Sequence, residues 1–465
     1  MPTLAPGRPE NLTPAEEKKL QEFWSLTLKS FGVLDGPVAW SLPPPPPIYN
    51  HSEALAAAAA ANKSNNGTNG TTHGATNGDS PKKKTSRFGF LSRGGGSKDE
   101  EEEQKRKREE EEKKSLEEKE RIASLPPQTP EELRFQFWSM VKCDDPDALL
   151  LRFLRARKWD AEKALEMMMK TMSWRGRVMD VATVVKEGEG VPFRRGAEDA
   201  GFMHQLIAGK SYLHGTDIDG RPVCWVTAGL HFAKDQTERD IQRFTIYTME
   251  TARLMLRSPV DTACVVFDMS DFSINNMDYA PVRFMIDCFE AHYPESLGVC
   301  CIHKAPWVFQ GIWNIVKAWL DPVVASKIHF TTSTKDLTRF IPSHQIPKNI
   351  GGTEDWTYSY SPKPPAEIPD GVKDHEDRYT VNTAENIASL AKLEAERRQQ
   401  VERYEELTRE WIKGAAEKKE QRTKVAKELE KGYWGLDKYI RGRGIYDRTG
   451  VIGANGEINF YPNKK

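Results

Sequence analysis

Apolar residues along this chain fall into three patterns, and each predicts a different element. The first is helical spacing. After Thr13-Pro14-Ala15-Glu16, a capping box with proline at the first helical position, Leu20, Phe23, Trp24, Leu28 and Phe31 share one face. A helix this short is unstable alone, so it is expected to dock on the rest of the chain. The same spacing follows Thr129-Pro130-Glu131-Glu132 and predicts helices over 131–140, 146–157 and 161–177, with Asp145 and Asp160 capping the last two. Leu149, Leu150, Phe153 and Leu154 of the second are set to face Leu165, Met168, Met169 and Met172 of the third. The second pattern is the short apolar run: 211–215 and 221–227 flank the turn Asp217-Ile218-Asp219-Gly220 as a hairpin, and 263–269 and 297–303 read as buried strands. Helices over 238–256 and 278–292 separate them. Strands alternating with helices imply an α/β fold with a largely parallel sheet under helical cover.

The third pattern is a stretch, 307–320, that is apolar almost all round. Val308, Ile312, Ile315, Val316 and Trp319 form a stripe, widened by Phe309, Trp313 and Leu320 until only Gln310, Asn314 and Lys317 remain polar. A helix of that kind is buried, in a core or against something as apolar as lipid. Glu295 and Lys327 flank the run in apolar surroundings, where a lone charge is costly.

Elsewhere the patterns fail. A polyproline run, an alanine run and Asn/Gly/Thr/Ser-rich sequence to about Ser80 are expected to be disordered, and 99–121 alternates acidic and basic blocks with no apolar stripe. Between them, Lys82-Lys83-Lys84 with Phe88, Phe90 and Arg93 reads as a solvated linker, or as a weak contact with anionic lipid worth about 1 kcal/mol per basic residue. Near the C-terminus a long charged helix is predicted over 384–431. Ile387, Leu390, Leu393, Val401, Tyr404, Leu407 and Trp411 trace its interrupted stripe, suited to packing back on the same chain or to recruiting a protein partner. The aromatic, glycine-rich tail beyond it is expected to be ordered. The resulting organisation is a docking helix (1–36), a linker (37–128), a small helical domain (129–180), a main α/β domain (195–356), and a C-terminal linker, helix and tail (357–465).

A chain of 465 residues with 38% hydrophobic content can bury a sizeable core, and a formal net charge of -1 argues against nucleic-acid binding. The six cysteines have no metal-ligand spacing and mostly lie in apolar runs, as small core residues in a reducing compartment would. With no signal peptide and no run long enough to span a bilayer, the expected location is cytoplasmic. Gly209-Lys210-Ser211 lacks the first glycine of a phosphate loop, and no nucleophile elbow, zinc-protease motif or calcium loop occurs, so neither catalysis nor a cofactor nor a metal is expected. A dispersed lipid hydrolase site remains the enzymatic alternative, and a lipid-responsive scaffold the interaction alternative.

Tyr293-Pro294-Glu295, Ala305-Pro306, Leu320-Asp321-Pro322 and Ser326-Lys327-Ile328 occur in an order that resembles the CRAL-TRIO lipid-binding family, closest to its fungal phosphatidylinositol-transfer proteins. LLRFLRARKWDAEKALEM upstream and IPKNIGG downstream extend the likeness over roughly 129–356. The resemblance implies a sheet flooring a lipid cavity, with the apolar helix (Phe309, Ile312, Trp313, Val316, Trp319, Leu320) as its mobile gate. It assigns Arg157, Lys158, Glu295 and Lys327 to the phosphatidylinositol headgroup, although cations at 157 and 158 also suit a helix C-terminus. Val324 stands where the founding transfer protein has a threonine. Ala263 and Val265 stand where it has the hydroxyls that hold phosphatidylcholine, so the second ligand is expected to be a neutral, hydrophobic lipid. The partners expected are these two lipids and, transiently, a membrane surface.

Overall fold

The computed structural model describes residues 4–37, 127–360 and 382–462. The low-complexity tract, the basic-aromatic patch, the charged block 99–121 and most of the linker after 356 lie outside the described residues.

Helix α1 (Pro14–Ser30) begins at the capping box read from sequence, Thr13 with Glu16. Its buried face meets α2 (Pro130–Val141), α3 (Pro146–Ala156) and α4 (Ala161–Ser173) in one apolar cluster that includes Trp24, Phe137, Leu150, Phe153 and Met168. α4 stops at Ser173 and continues as a π turn, Trp174–Val178, instead of running straight to 177. A second π turn, Cys288–His292, closes the helix predicted over 278–292. The two turns pack together through the stacked rings of Trp174 and His292, 4.0 Å apart. Between the two turns lie the short α5 (Val181–Glu187), α6 (Glu238–Met255), which packs on the first two strands of the sheet, and α7 (Tyr279–Asp287).

The sheet has strand order β1-β2-β3-β4-β5, from β1 (Ser211–Thr216), β2 (Pro222–Thr227), β3 (Ala263–Asp268), β4 (Leu297–His303) and β5 (Ile328–Thr331). β1 and β2 are the antiparallel hairpin, with Asp217 accepting the backbone N–H groups of Asp219 and Arg221 across the turn. All later pairings are parallel. The period-two alternation gives the sheet two unlike faces. On one, Val223, Trp225, Cys264, Val266 and Cys301 are 0% exposed beneath Leu337, Ile341, Ile346 and Ile350. On the other, Cys224, Val265 and Cys300 keep 6–9% exposure, and Val226, Phe267 and Ile328 are only half-buried.

The C-terminal region differs from its sequence reading. Instead of one helix over 384–431, α9 (Ala384–Ile412) and α10 (Lys418–Ile440) form a hairpin that breaks at Gly414, whose φ of +104° favours glycine. Val401, Tyr404, Leu407 and Trp411 are buried against α1 and its neighbours, so this chain itself covers the C-terminal half of the stripe, while Leu390 and Leu393 are half-buried and Ile387 is exposed. One ionic knot joins four helices. Arg422 of α10 lies 4.2 Å from the Trp411 ring and donates to Asp147 of α3 at 2.6 and 3.1 Å, and Asp147 also accepts from Trp24 Nε1 and the Tyr404 hydroxyl. With Arg422 1% exposed, its removal leaves Asp147 without its cation. Arg422→Met is expected to lower the unfolding free energy by about 3 kcal/mol, read as an earlier urea midpoint. An unchanged midpoint would mean that the hairpin contributes no ionic stabilisation.

Candidate functional site

Glu295 and Lys327, 32 residues apart, enter β4 and β5 side by side: Lys327 Nζ lies 4.0 Å from Glu295 Oε2. Both side chains keep over a fifth of their surface exposed, 23% and 22%, so this is a partly solvated pair and not the deeply buried one expected. The sheet fixes one backbone and α3 the other. The Lys327 carbonyl accepts from Cys300 N–H at 2.8 Å, and Arg152 donates to the Glu295 carbonyl at 2.8 Å. Glu295 has a φ of +54°, in the left-handed region where a residue with a Cβ is strained. Such a conformation persists only where its surroundings hold it, and Arg152 does so here.

Arg152 also donates to the Asp261 carbonyl at 2.5 Å, while Arg8 and Arg155 pair with the Asp261 carboxylate at 2.8 and 3.4 Å. Arg8, Arg152, Arg155 and Lys327 are therefore four cations set against the two carboxylates Asp261 and Glu295. Burial, then the neighbouring guanidiniums of Arg8 and Arg152, pull Arg155 down to about 10, against the opposing effect of Asp261 and Glu295. The excess of positive charge makes this end of the sheet suited to an anion.

Arg157 and Lys158 are placed differently. Arg157 is the C-cap of α3, with its side chain donating to the Ala156 carbonyl at 3.1 Å, and Lys158 is exposed with a φ of +51°. Among the described residues, no hydrogen bond or ion pair joins either to Glu295 or Lys327. The cations that do meet the pair's backbone and its field, Arg152 and Arg155, lie earlier in the chain, on α3 itself. Their i,i+3 spacing in LLRFLRAR was the available signal. Arg8 and Asp261 carried none, being 253 residues apart.

Ala263 opens β3 next to the pair, its N–H donating to the Ser296 carbonyl at 2.9 Å. Ala263, Val265 and Phe267 alternate onto the looser face of the sheet. The C-terminal region adds to that face: Trp434 of α10 and Tyr446, Val451, Ile452 and Phe460 of the tail join its apolar cluster, and the Tyr446 hydroxyl accepts from Leu213 N–H of β1 at 2.7 Å.

The apolar helix, α8 (Phe309–Lys317), is shorter than the predicted 307–320, with loose turns at each end, and it links β4 to β5. Ile312 and Val316 anchor it inward, while Gln310, Asn314 and Lys317 face solvent. Phe309 meets Phe272, Trp313 meets Phe330 at 5.1 Å, and Trp319 meets Tyr279, with Leu320 half-buried beyond. Leu230, Phe232, Ile274 and Trp307 are all exposed, Trp307 by 90%, in the segments that leave the C-terminal ends of β2, β3 and β4. No helix among the described residues is long and apolar enough to cross a membrane.

The CRAL/TRIO domain model matches residues 207–352, and the CRAL/TRIO N-terminal domain model matches 103–170. A CRAL-TRIO domain-containing protein of Schizosaccharomyces pombe is 42% identical over 458 residues, covering 96% of this chain and 92% of its own. Phosphatidylinositol transfer protein CSR1 of Eremothecium gossypii is 44% identical over 325 residues, covering 68% and 71% respectively. The Sec14 cytosolic factor of Schizosaccharomyces pombe is 30% identical over 223 residues, 44% of this chain and 74% of its own.

Proposed function

Because this chain belongs to the CRAL-TRIO family of lipid-binding proteins, we propose that it binds phosphatidylinositol and exchanges it between membranes through an apolar chamber gated by α8, with no catalytic step. The observation that carries this reading is the approach of Lys327 to Glu295 beside an excess of arginine, at the edge of the sheet's looser apolar face. Lys327 supplies a cation to the lipid phosphate, and Glu295 accepts inositol hydroxyls. Arg152 positions Glu295 through its carbonyl. Arg157 and Lys158, at the surface beyond α3, meet the headgroup only as it enters. The acyl chains lie over β3 to β5, away from β1, where Leu213 holds the tail through the Tyr446 hydroxyl.

Exchange of this kind requires no nucleotide. Burying an acyl chain gains about 0.8 kcal/mol per CH₂, but the bilayer offers the same gain, so transfer between the two is nearly neutral. The protein needs only headgroup selectivity, a gate and a surface that meets the membrane. The exposed Leu230, Phe232, Ile274 and Trp307 provide that surface, and the protein works in the cytoplasm with transient membrane contact. Transfer of labelled phosphatidylinositol from donor to acceptor vesicles tests the reading, and a purified protein that neither binds nor transfers this lipid overturns it.

The second ligand follows from β3. Ala263 and Val265 offer no hydroxyl to a choline headgroup, so a neutral hydrophobic lipid is the second occupant and phosphatidylcholine transfers poorly. Ala263→Ser with Val265→Thr restores two donors, each worth about 1 kcal/mol, and is expected to raise phosphatidylcholine transfer roughly fivefold or more. Equal wild-type transfer of the two phospholipids would show that other groups hold the choline lipid.

A further inference from the structure

Away from the sheet, where the α9–α10 hairpin meets α2 and α5, the helices line a half-open cavity of about 220 Å³. Trp138, Val401 and Leu436 supply apolar wall, and Lys142, Arg175, Arg397 and Arg398 bring cations to it. Two of these are already matched. Lys142 and Arg175 both pair with Glu250 of α6, the latter at 2.8 Å. Burial alone would raise the Glu250 carboxyl, but Arg175, Lys142 and Arg253 outweigh it and hold it well below the usual range.

Arg397 is not matched by an anion. Its guanidinium donates to two main-chain carbonyls, Lys142 at 2.8 Å and Leu429 at 3.1 Å, and its remaining side is 6.0 Å from the Tyr433 ring. Among the described residues no carboxylate pairs with it. Two carbonyls use only part of the guanidinium's donor capacity and none of its charge. Burial pulls its pKa down, the direction expected of a cation held without an anion. The carboxyl of Glu394, on the same wall, has Arg398 and Lys186 as its charged neighbours and not Arg397.

We propose that this cavity is a binding site for a small amphiphilic anion, a carboxylate or phosphate monoester on a ring or short chain, with its charge on Arg397 and its apolar part against Trp138, Val401 and Leu436. The volume equals that of about seven water molecules, room for such a head and body and far too little for a diacyl lipid. A bound anion completes Arg397 and ties the hairpin to α2 and α5, so occupancy stabilises the fold by mass action.

Phenyl phosphate is the probe and inorganic phosphate its head-only control, with calorimetry and melting temperature as readouts. Wild-type protein is expected to bind phenyl phosphate one to one with a Kd near or below about 1 mM, more tightly than inorganic phosphate, and to melt later in its presence. Arg397→Gln should weaken binding at least about tenfold, as loss of a charge-assisted bond requires. Since Arg397 also bridges two carbonyls, a second variant guards against misfolding: Ala182, exposed at the cavity wall, can be changed to Trp to fill the space without touching the core. Ala182→Trp should abolish binding while keeping the wild-type melting temperature. Phenyl phosphate that binds no better than inorganic phosphate, or binds Ala182→Trp as it binds wild type, overturns the proposal. Soluble inositol phosphate that binds here more tightly than phenyl phosphate overturns it as well, since the site would then read a lipid headgroup and not an apolar body.

Discussion

Lys327→Ala is expected to lower phosphatidylinositol affinity about thirtyfold while leaving a deeper, neutral lipid bound. The magnitude follows from the geometry. Had the pair been fully buried, removing one member would cost about 3–5 kcal/mol, because the other charge would be stranded. Lys327 and Glu295 instead keep 22% and 23% exposure at a separation of 4.0 Å, and water can solvate whichever remains. What is lost is the charge-assisted contact between the ammonium and the lipid phosphate, about 2 kcal/mol, hence the thirtyfold figure. Lys327→Arg keeps the charge and should recover most of the affinity. Headgroup-labelled phosphatidylinositol in a binding titration measures the loss, and native mass spectrometry of the neutral lipid shows that the chamber stays intact. Wild-type affinity in Lys327→Ala would move the headgroup site elsewhere, with Arg152 and Arg155 the first residues to examine.

Those arginines mark the boundary of what sequence could tell. Local chemistry was legible: the caps at Thr13, Thr129, Asp145 and Asp160 each bond the predicted N–H groups, and β4 spans the predicted 297–303. Each depends only on residues within a few positions. Glu295 and Lys327 could be singled out because a charge in an apolar run is anomalous wherever the chain goes. The pairing of Arg8 with Asp261 has no such local trace, nor does the seat of Tyr446 on β1. The break at Gly414 had a signal, a glycine amid helix formers, but the charged sequence on both sides reads equally as one helix. In α8 the apolar spacing continues past Lys317 although the helix does not. Periodicity reports which residues turn inward, and a tighter turn brings Trp319 and Leu320 inward, their N–H groups donating to the carbonyls three residues back, Val316 and Lys317, instead of four.

Trp313→Asp is expected to reduce transfer at least about tenfold and to leave the protein folded, and the choice of residue matters. Ile312 and Val316 are the buried anchors of α8, 6% and 8% exposed. An aspartate at Ile312 would strand a charge in the core and test folding more than gating. Trp313 is half-buried, held by an edge contact with Phe330, which is itself 43% exposed. That pair rests on the outer layer of α8, the surface that the proposed gating would part from the domain and bring to the bilayer. An aspartate at bilayer depth costs about 2.5–3.5 kcal/mol, well beyond the 1.4 kcal/mol that a tenfold slowing requires. Trp307→Asp separates the two halves of the event. With Trp307 90% exposed the change cannot disturb packing, so it should weaken vesicle binding yet leave the lipid already in the protein in place. Vesicle-to-vesicle transfer, vesicle sedimentation and melting temperature together resolve the outcomes. Wild-type transfer by both variants would make α8 an ordinary crossover helix between β4 and β5, and the lipid would have to enter by another route.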